Sequence, residues 1–177
     1  MRKPDQTLVL VGMMGAGKSS VGRRLAAVLD MPFRDADAEI EDAAGCSVSE
    51  IFERFGEAQF RAGERKVIAR LLDESPCVLA AGGGAFMDAE TRAAIQEKAI
   101  SIWLKAPIDL LLDRVSRKDS RPLLKTQNPR QTLERLAKER EPVYAQADLT
   151  VESNHGPHDT VVKRILEALA AREAQSS

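Results

Sequence analysis

The chain contains two cysteines, one tryptophan and one tyrosine among 177 residues. Cys46 and Cys77 stand in unrelated contexts with no paired spacing, which argues against a disulfide framework or a zinc site. Both read as reduced packing residues. Long apolar runs are missing: nothing approaches the roughly 20 residues that span a bilayer, and no charged-then-apolar leader opens the sequence. A cytoplasmic protein with no membrane partner is therefore expected. An excess of charge of one sign is missing too. Lys and Arg number 26 against 27 Asp and Glu, a net charge of −1, so no long-range basic field for nucleic acid is indicated. Repeats, linkers and low-complexity segments are absent, and no Asn-Lys-x-Asp signal for guanine recognition occurs. The length suits one domain over residues 1–177. A monomer is expected, because assigning the core leaves no large surplus apolar face.

What is present begins with Gly12-Met13-Met14-Gly15-Ala16-Gly17-Lys18-Ser19, a match to the G-x-x-x-x-G-K-[ST] phosphate-binding loop. The run before it, Thr7 to Val11, is short and rich in β-branched residues and predicts a buried parallel strand. After it, Val21, Leu25, Val28 and Leu29 recur at helical spacing. Strand, loop and helix in that order let backbone N–H groups and a helix N-terminus converge on one anion. Lys18 supplies a point charge for the β- and γ-phosphates, and the Ser19 hydroxyl is a hard oxygen ligand suited to Mg²⁺.

The next strand leads into Asp35-Ala36-Asp37, with both acids expected at the carboxyl edge that faces the ligand crevice of a doubly wound sheet. Two residues apart on an extended segment, they could share a face. Asp35 is placed for the Mg²⁺ shell, through water. Asp37 reaches toward a second substrate, or alternatively caps the helix Ala38–Ala44. Gly45 marks that helix's end, and Ser47 to Glu50 has capping-box form for a short helix over Val48 to Phe55. A longer helix from Glu57 to Glu74 carries Phe60, Val67, Ile68, Leu71 and Leu72 at core-facing spacing.

Projected at about 100° per residue, Arg61 and Glu64 fall inside that apolar stripe. Charged groups there need partners. Two readings stay open: an internal salt bridge, or an arginine held by Glu64 and aimed at an anionic ligand. Further on, Pro76 to Ala81 predicts a third strand running into Gly82-Gly83-Gly84, where a ligand could approach bare backbone. A helix from Asp88 to Lys98, a strand from Ala99 to Leu104 and a helix opened by Pro107 follow. The basic stretch Arg114 to Lys125, broken by Pro122, reads as a solvated face or as a mobile cationic segment over a phosphate site, with Arg121 the candidate. In the helix that begins at Asn128-Pro129-Arg130, Arg140 projects onto the apolar face, and Pro142 is expected to end or kink the helix. Two arginines that break pattern suggest one anionic site better than two unrelated bridges. Leu149 to Val151 predicts the fifth strand and Val161 to Leu169 the closing helix.

Taken together, Gly12 to Ser19, Asp35-Ala36-Asp37, Gly56-Glu57 with Phe60-Arg61, Gly82 to Gly84, Arg121-Pro122-Leu123-Leu124, and Arg140 before Pro142-Val143-Tyr144 make the whole chain resemble shikimate kinase. The resemblance implies a three-layer α/β/α P-loop fold with a five-stranded parallel sheet in the order 2-3-1-4-5, substrate-binding helices over about 37–74, and a lid over about 117–126. It also implies Mg²⁺, with ATP as co-substrate, and transfer of the γ-phosphoryl group to the 3-hydroxyl of shikimate. The implied ATP contacts are Gly12, Met14, Gly15, Ala16, Gly17, Lys18, Ser19, Ser20, Arg114, Arg117 and Arg121. Those to shikimate are Asp37, Arg61, Glu64, Gly82, Gly83, Gly84 and Arg140. Ser19 and Asp35 are the metal pair, and Lys18, Asp37 and Arg121 the catalytic set. The loop Asn154-His155-Gly156 offers a further nucleotide contact. The rivals are another small-molecule P-loop kinase, such as a gluconate kinase, and a nucleotide-dependent switch module.

Overall fold

The computed structural model describes residues 4–117 and 128–177. Five parallel strands form one sheet in the order β2-β3-β1-β4-β5, as the resemblance implied. The central strand β1 (Thr7–Val11) is buried at every position. It needs its continuous apolar run because helices cover both faces of the sheet. β3 (Val78–Ala80) pairs with it on one side, Val9 opposite Leu79, and β4 (Ala99–Lys105) on the other, Val9 opposite Ser101. β2 (Phe33–Asp35) and β5 (Leu149–Glu152) close the edges.

Helix α1 (Lys18–Leu29) starts directly at the motif and buries Val21, Leu25, Ala26 and Leu29 against the sheet, leaving Val28 exposed. α2 (Ala36–Ala44) stops at Gly45, whose φ of 72° is the left-handed turn that a helix end requires. α3 (Val48–Asp73) is two helices in one span, since Gly56 at φ 80°, ψ 173° breaks it where the sequence placed the boundary. Ser47 caps its start by accepting from the Glu50 N–H at 3.1 Å. A 3₁₀ turn (Ala85–Met87) and α4 (Ala89–Lys98) follow β3, with Asp88 as the cap residue ahead of the helix. α5 (Ile108–Ser116) is preceded by Pro107 as its cap, one position earlier than its expected place in the first turn.

Two expectations change. Asp35 and Asp37 do not share an extended segment: β2 ends at Asp35, and Asp37 lies in the first turn of α2. The reason is local, because the Asp35 carboxylate accepts from the N–H groups of Asp37 and Ala38 and so starts the helix itself. Nor does Pro142 end α6 (Pro129–Tyr144), which continues to Tyr144. Pro142 sits in the final turn, where the loss of one helical hydrogen bond interrupts little. The closing helix α7 (His158–Ser176) buries Val161, Val162, Ile165 and Leu169.

Parallel pairing puts the carboxyl ends of β2, β3, β1 and β4 on one edge. β3 lies between β2 and β1, so the triple glycine after β3 is set beside the phosphate loop after β1 and the Asp35 cap after β2.

Candidate active site

At the phosphate loop, Gly12 adopts φ 144°, and a Cβ there would lie 2.8 Å from the Leu104 carbonyl oxygen, so only glycine fits between loop and strand. Lys18 Nζ donates to the Gly12 carbonyl at 2.5 Å and to that of Met13 at 3.2 Å, which folds its charge over the loop. Met14 and Ala16 are buried, so what they can offer an anion is backbone. Ser19 Oγ donates to Asp35 Oδ2 at 2.7 Å. One carboxylate thus caps α2 with one oxygen and holds the motif serine with the other. Ser20 is exposed on the first turn of α1.

Beside the loop, Arg114 donates to the Gly15 carbonyl at 3.1 Å and to that of Asn154 at 3.3 Å. Buried Ser153 donates to the Ala16 carbonyl at 3.2 Å, so the segment between β5 and α7 is tied to the phosphate loop. His158 is the residue that sequence reasoning missed. A Cβ on Gly17 would meet Arg114 Nη1 at 3.0 Å and His158 Cε1 at 3.5 Å. Burial foremost, with the charges of Arg114 and Arg24, lowers the imidazole's affinity for a proton, and its Nδ1 is buried with no partner among the described residues. No periodic pattern marks His158, which opens α7 just past the Asn154-His155-Gly156 segment singled out in the sequence. Arg117 is exposed and pairs with Asp113 at 3.2 Å one turn back. Arg121, and the expected lid beyond residue 117, lie outside the described residues.

The other side of the site is built around Gly82 to Gly84. Their missing side chains leave room that charged groups of other elements enter. At Gly82 a Cβ would stand 3.1 Å from Glu64 Oε2 and 3.2 Å from Asp37 Oδ1; at Gly83, 3.2 Å from Arg140 Nη1; at Gly84 it would collide with the Arg61 guanidinium. The glycines are therefore more than bare backbone, because they let α2, α3 and α6 bring four charged side chains to one place. That of Gly83 would also lie 3.7 Å from the Gly12 carbonyl oxygen and from the Met14 nitrogen. Both halves of the site meet at that residue.

Within this cluster Arg61 Nη1 donates to Glu64 Oε1 at 2.8 Å. Glu64 is 1% exposed, and burial pushes its carboxyl above the ordinary value against the opposing pull of Arg61, with the Asp37 charge adding to the rise. Its Oε2 and Arg140 Nη1 are both buried without a hydrogen-bond partner among the described residues. Such atoms are costly unless something completes them. Of the two readings left open by the sequence, the internal Arg61–Glu64 pair is present, and it stands at the glycine floor beside Asp37 and Arg140.

Residues 14–170 match the shikimate kinase family model. The shikimate kinase of Caulobacter vibrioides is 61% identical over 169 residues, covering 96% of this chain and 84% of the relative. That of Bradyrhizobium diazoefficiens is 60% identical over 166 residues, covering 94% and 80%. The solved shikimate kinase of Acinetobacter baumannii in complex with shikimate superposes with a TM-score of 0.93 at 39% identity, covering 96% of each chain. With a phosphate loop, a triple-glycine floor and two site arginines arranged on the same fold, the chain belongs to the shikimate kinase family.

Proposed function

We propose that this chain transfers the γ-phosphoryl group of ATP to the 3-hydroxyl of shikimate, giving shikimate 3-phosphate and ADP for aromatic amino acid synthesis by way of chorismate. The observation that carries this reading is the convergence of Asp37, Glu64, Arg61 and Arg140 at Gly82 to Gly84, where a Cβ on Gly83 would also lie 3.7 Å from the phosphate-loop backbone. Two arginines with buried or half-buried guanidinium groups suit a carboxylate, which guanidinium geometry matches. Asp37, exposed beside them, suits ring hydroxyls. The helices over about 37–74 form the acceptor-recognising part.

Ser19 Oγ and Asp35 Oδ2 present two hard oxygens 2.7 Å apart. Among the described residues no group of three or more His, Cys, Asp or Glu side chains gathers to cage a metal. This donor set fits Mg²⁺, which keeps several waters and takes its remaining ligands from phosphates. Ser19 and Asp35 would hold it, Asp35 through water, and the bound ion would supply positive charge to offset that of the nucleotide's phosphates.

The reaction forms a bond from the acceptor hydroxyl oxygen to the γ-phosphorus and breaks the bond to the β–γ bridging oxygen, which leaves with ADP. Asp37 accepts the hydroxyl proton or orients the hydroxyl. Because such transition states are largely dissociative, orientation weighs more than base strength. Lys18 stabilises charge on the transferring group, and Arg121 is assigned the same role from its place in the sequence. Arg114 and His158 border the nucleotide beyond Gly17. Among the described residues only Val28 and Phe55 are large, apolar and exposed, which supports a monomer. No helix of the described residues is long and apolar enough to cross a membrane, and dependence on ATP together with two unpaired cysteines supports a cytoplasmic setting.

ADP release by the purified chain, with ATP and Mg²⁺ and with shikimate, gluconate or AMP in parallel, tests the assignment. Stimulation by shikimate alone is expected. Stimulation by gluconate or AMP and not by shikimate overturns it.

A further inference from the structure

Tyr144, the chain's single tyrosine, closes α6 one turn beyond Arg140 and is fully buried. Its ring lies 5.8 Å from that of Trp103 on β4, so the core fixes its position. Its hydroxyl donates to the Gly83 carbonyl, the middle residue of the floor on which both halves of the site meet. Burial pushes the phenol up to about 12, although Arg140 opposes the rise through its charge and a side-chain hydrogen bond. The group therefore remains a donor throughout the neutral range.

The neighbours give this contact its meaning. Arg140 Nη1 is buried and unpartnered, and it would stand 3.2 Å from a Cβ on Gly83. A buried guanidinium N–H left unsatisfied is costly until a ligand completes it. The Tyr144 hydroxyl, bonded to the Gly83 carbonyl, ties the end of α6 to the floor beside that guanidinium. We propose that Tyr144 is a positioning residue for acceptor recognition: by tying α6 to the Gly83 carbonyl through its hydroxyl, it holds Arg140 at the floor with Nη1 presented to the substrate's carboxylate. This rests on the reading of Arg140 as a carboxylate ligand.

The test compares shikimate with its methyl ester, which keeps the ring hydroxyls and loses the negative charge. For the unaltered enzyme kcat/KM favours the acid. In Tyr144→Phe that preference falls about tenfold, the scale of one charge-assisted hydrogen bond. The loss appears as a raised KM for shikimate, with kcat and the KM for ATP little changed. If Tyr144→Phe lowers kcat/KM for acid and ester by the same factor, its role is packing and the inference is overturned. If the unaltered enzyme itself does not favour the acid, the carboxylate reading of Arg140 fails, and the inference falls with it. A second measurement needs no folded variant. Protein grown with 3-fluorotyrosine carries one fluorine-bearing position, and its ¹⁹F resonance should move when shikimate is added and stay in place with the ester. A resonance indifferent to shikimate, or moved equally by both, contradicts the proposal.

Discussion

Asp37, Arg61 and Glu64 show how unevenly individual residues declare themselves. Arg61, Glu64 and Arg140 were legible because each puts charge on an apolar helical stripe, a violation that needs a partner. Asp37 was legible as an acid at a strand's carboxyl end, though the strand stops before it and Asp35 does the capping. His158 was not legible, since only the fold brings it to Gly17. Arg117 came from the family resemblance, and it pairs with Asp113 one turn back. Two outcomes belong to this scale. Asp37→Asn should lower turnover severely in a steady-state assay while ATP affinity, by calorimetry, is kept; near-normal turnover removes Asp37 from the mechanism. Arg61→Ala loses a charge-assisted contact worth about 1.5–3 kcal/mol, so the KM for shikimate should rise roughly 10- to 150-fold. Equal damage to ATP binding with none to shikimate refutes the assignment.

Among the elements, boundaries followed the sequence where a residue's own chemistry sets them, at Gly45, Ser47 and Gly56. They departed from it where a neighbour decides, as when Asp35 starts α2 early. The junction after the triple glycine depends on long-range contacts and was invisible in the pattern. There Arg65 of α3 binds Asp88 through two hydrogen bonds, at 3.0 and 2.9 Å, while Asp88 also caps α4 by accepting from the Thr91 N–H at 2.9 Å. The hydrogen bond from Arg65 foremost, with those from Thr91, holds the Asp88 carboxyl well below the usual carboxylate range. A carboxyl depressed in the folded state contributes stability above its unfolded value and loses it as pH falls through the folded one. Asp88→Ala should therefore cost about 0.5–2 kcal/mol at pH 7, the scale of a lost cap. In urea melts at a series of pH values, the gap to the unaltered protein should narrow below about pH 4. A gap that is constant or widens in acid contradicts this role for Asp88.

For the whole molecule, one topological fact does most of the positioning: β3 enters between β2 and β1. Three segments far apart in sequence thus end side by side, with the phosphate loop, the Asp35 cap and the glycine floor on one edge. Strand order itself is not written in local pattern and came from the family resemblance, whereas each strand and its exit loop could be read directly. On the proposed reading, the phosphate loop becomes half of a transfer site through Gly82 to Gly84, whose side-chain space is taken by Asp37, Glu64, Arg61 and Arg140.

Gly84→Ala tests that claim most directly. The added methyl meets the end of a flexible arginine and not backbone, so the fold can absorb it by displacing Arg61. Calorimetric titration of the variant should show ATP affinity within about twofold of the unaltered enzyme and shikimate affinity lower by about tenfold or more, the scale of a lost charge-assisted contact. Unchanged shikimate affinity, or parallel loss of both ligands, would contradict a floor built to admit the carboxylate-binding arginine.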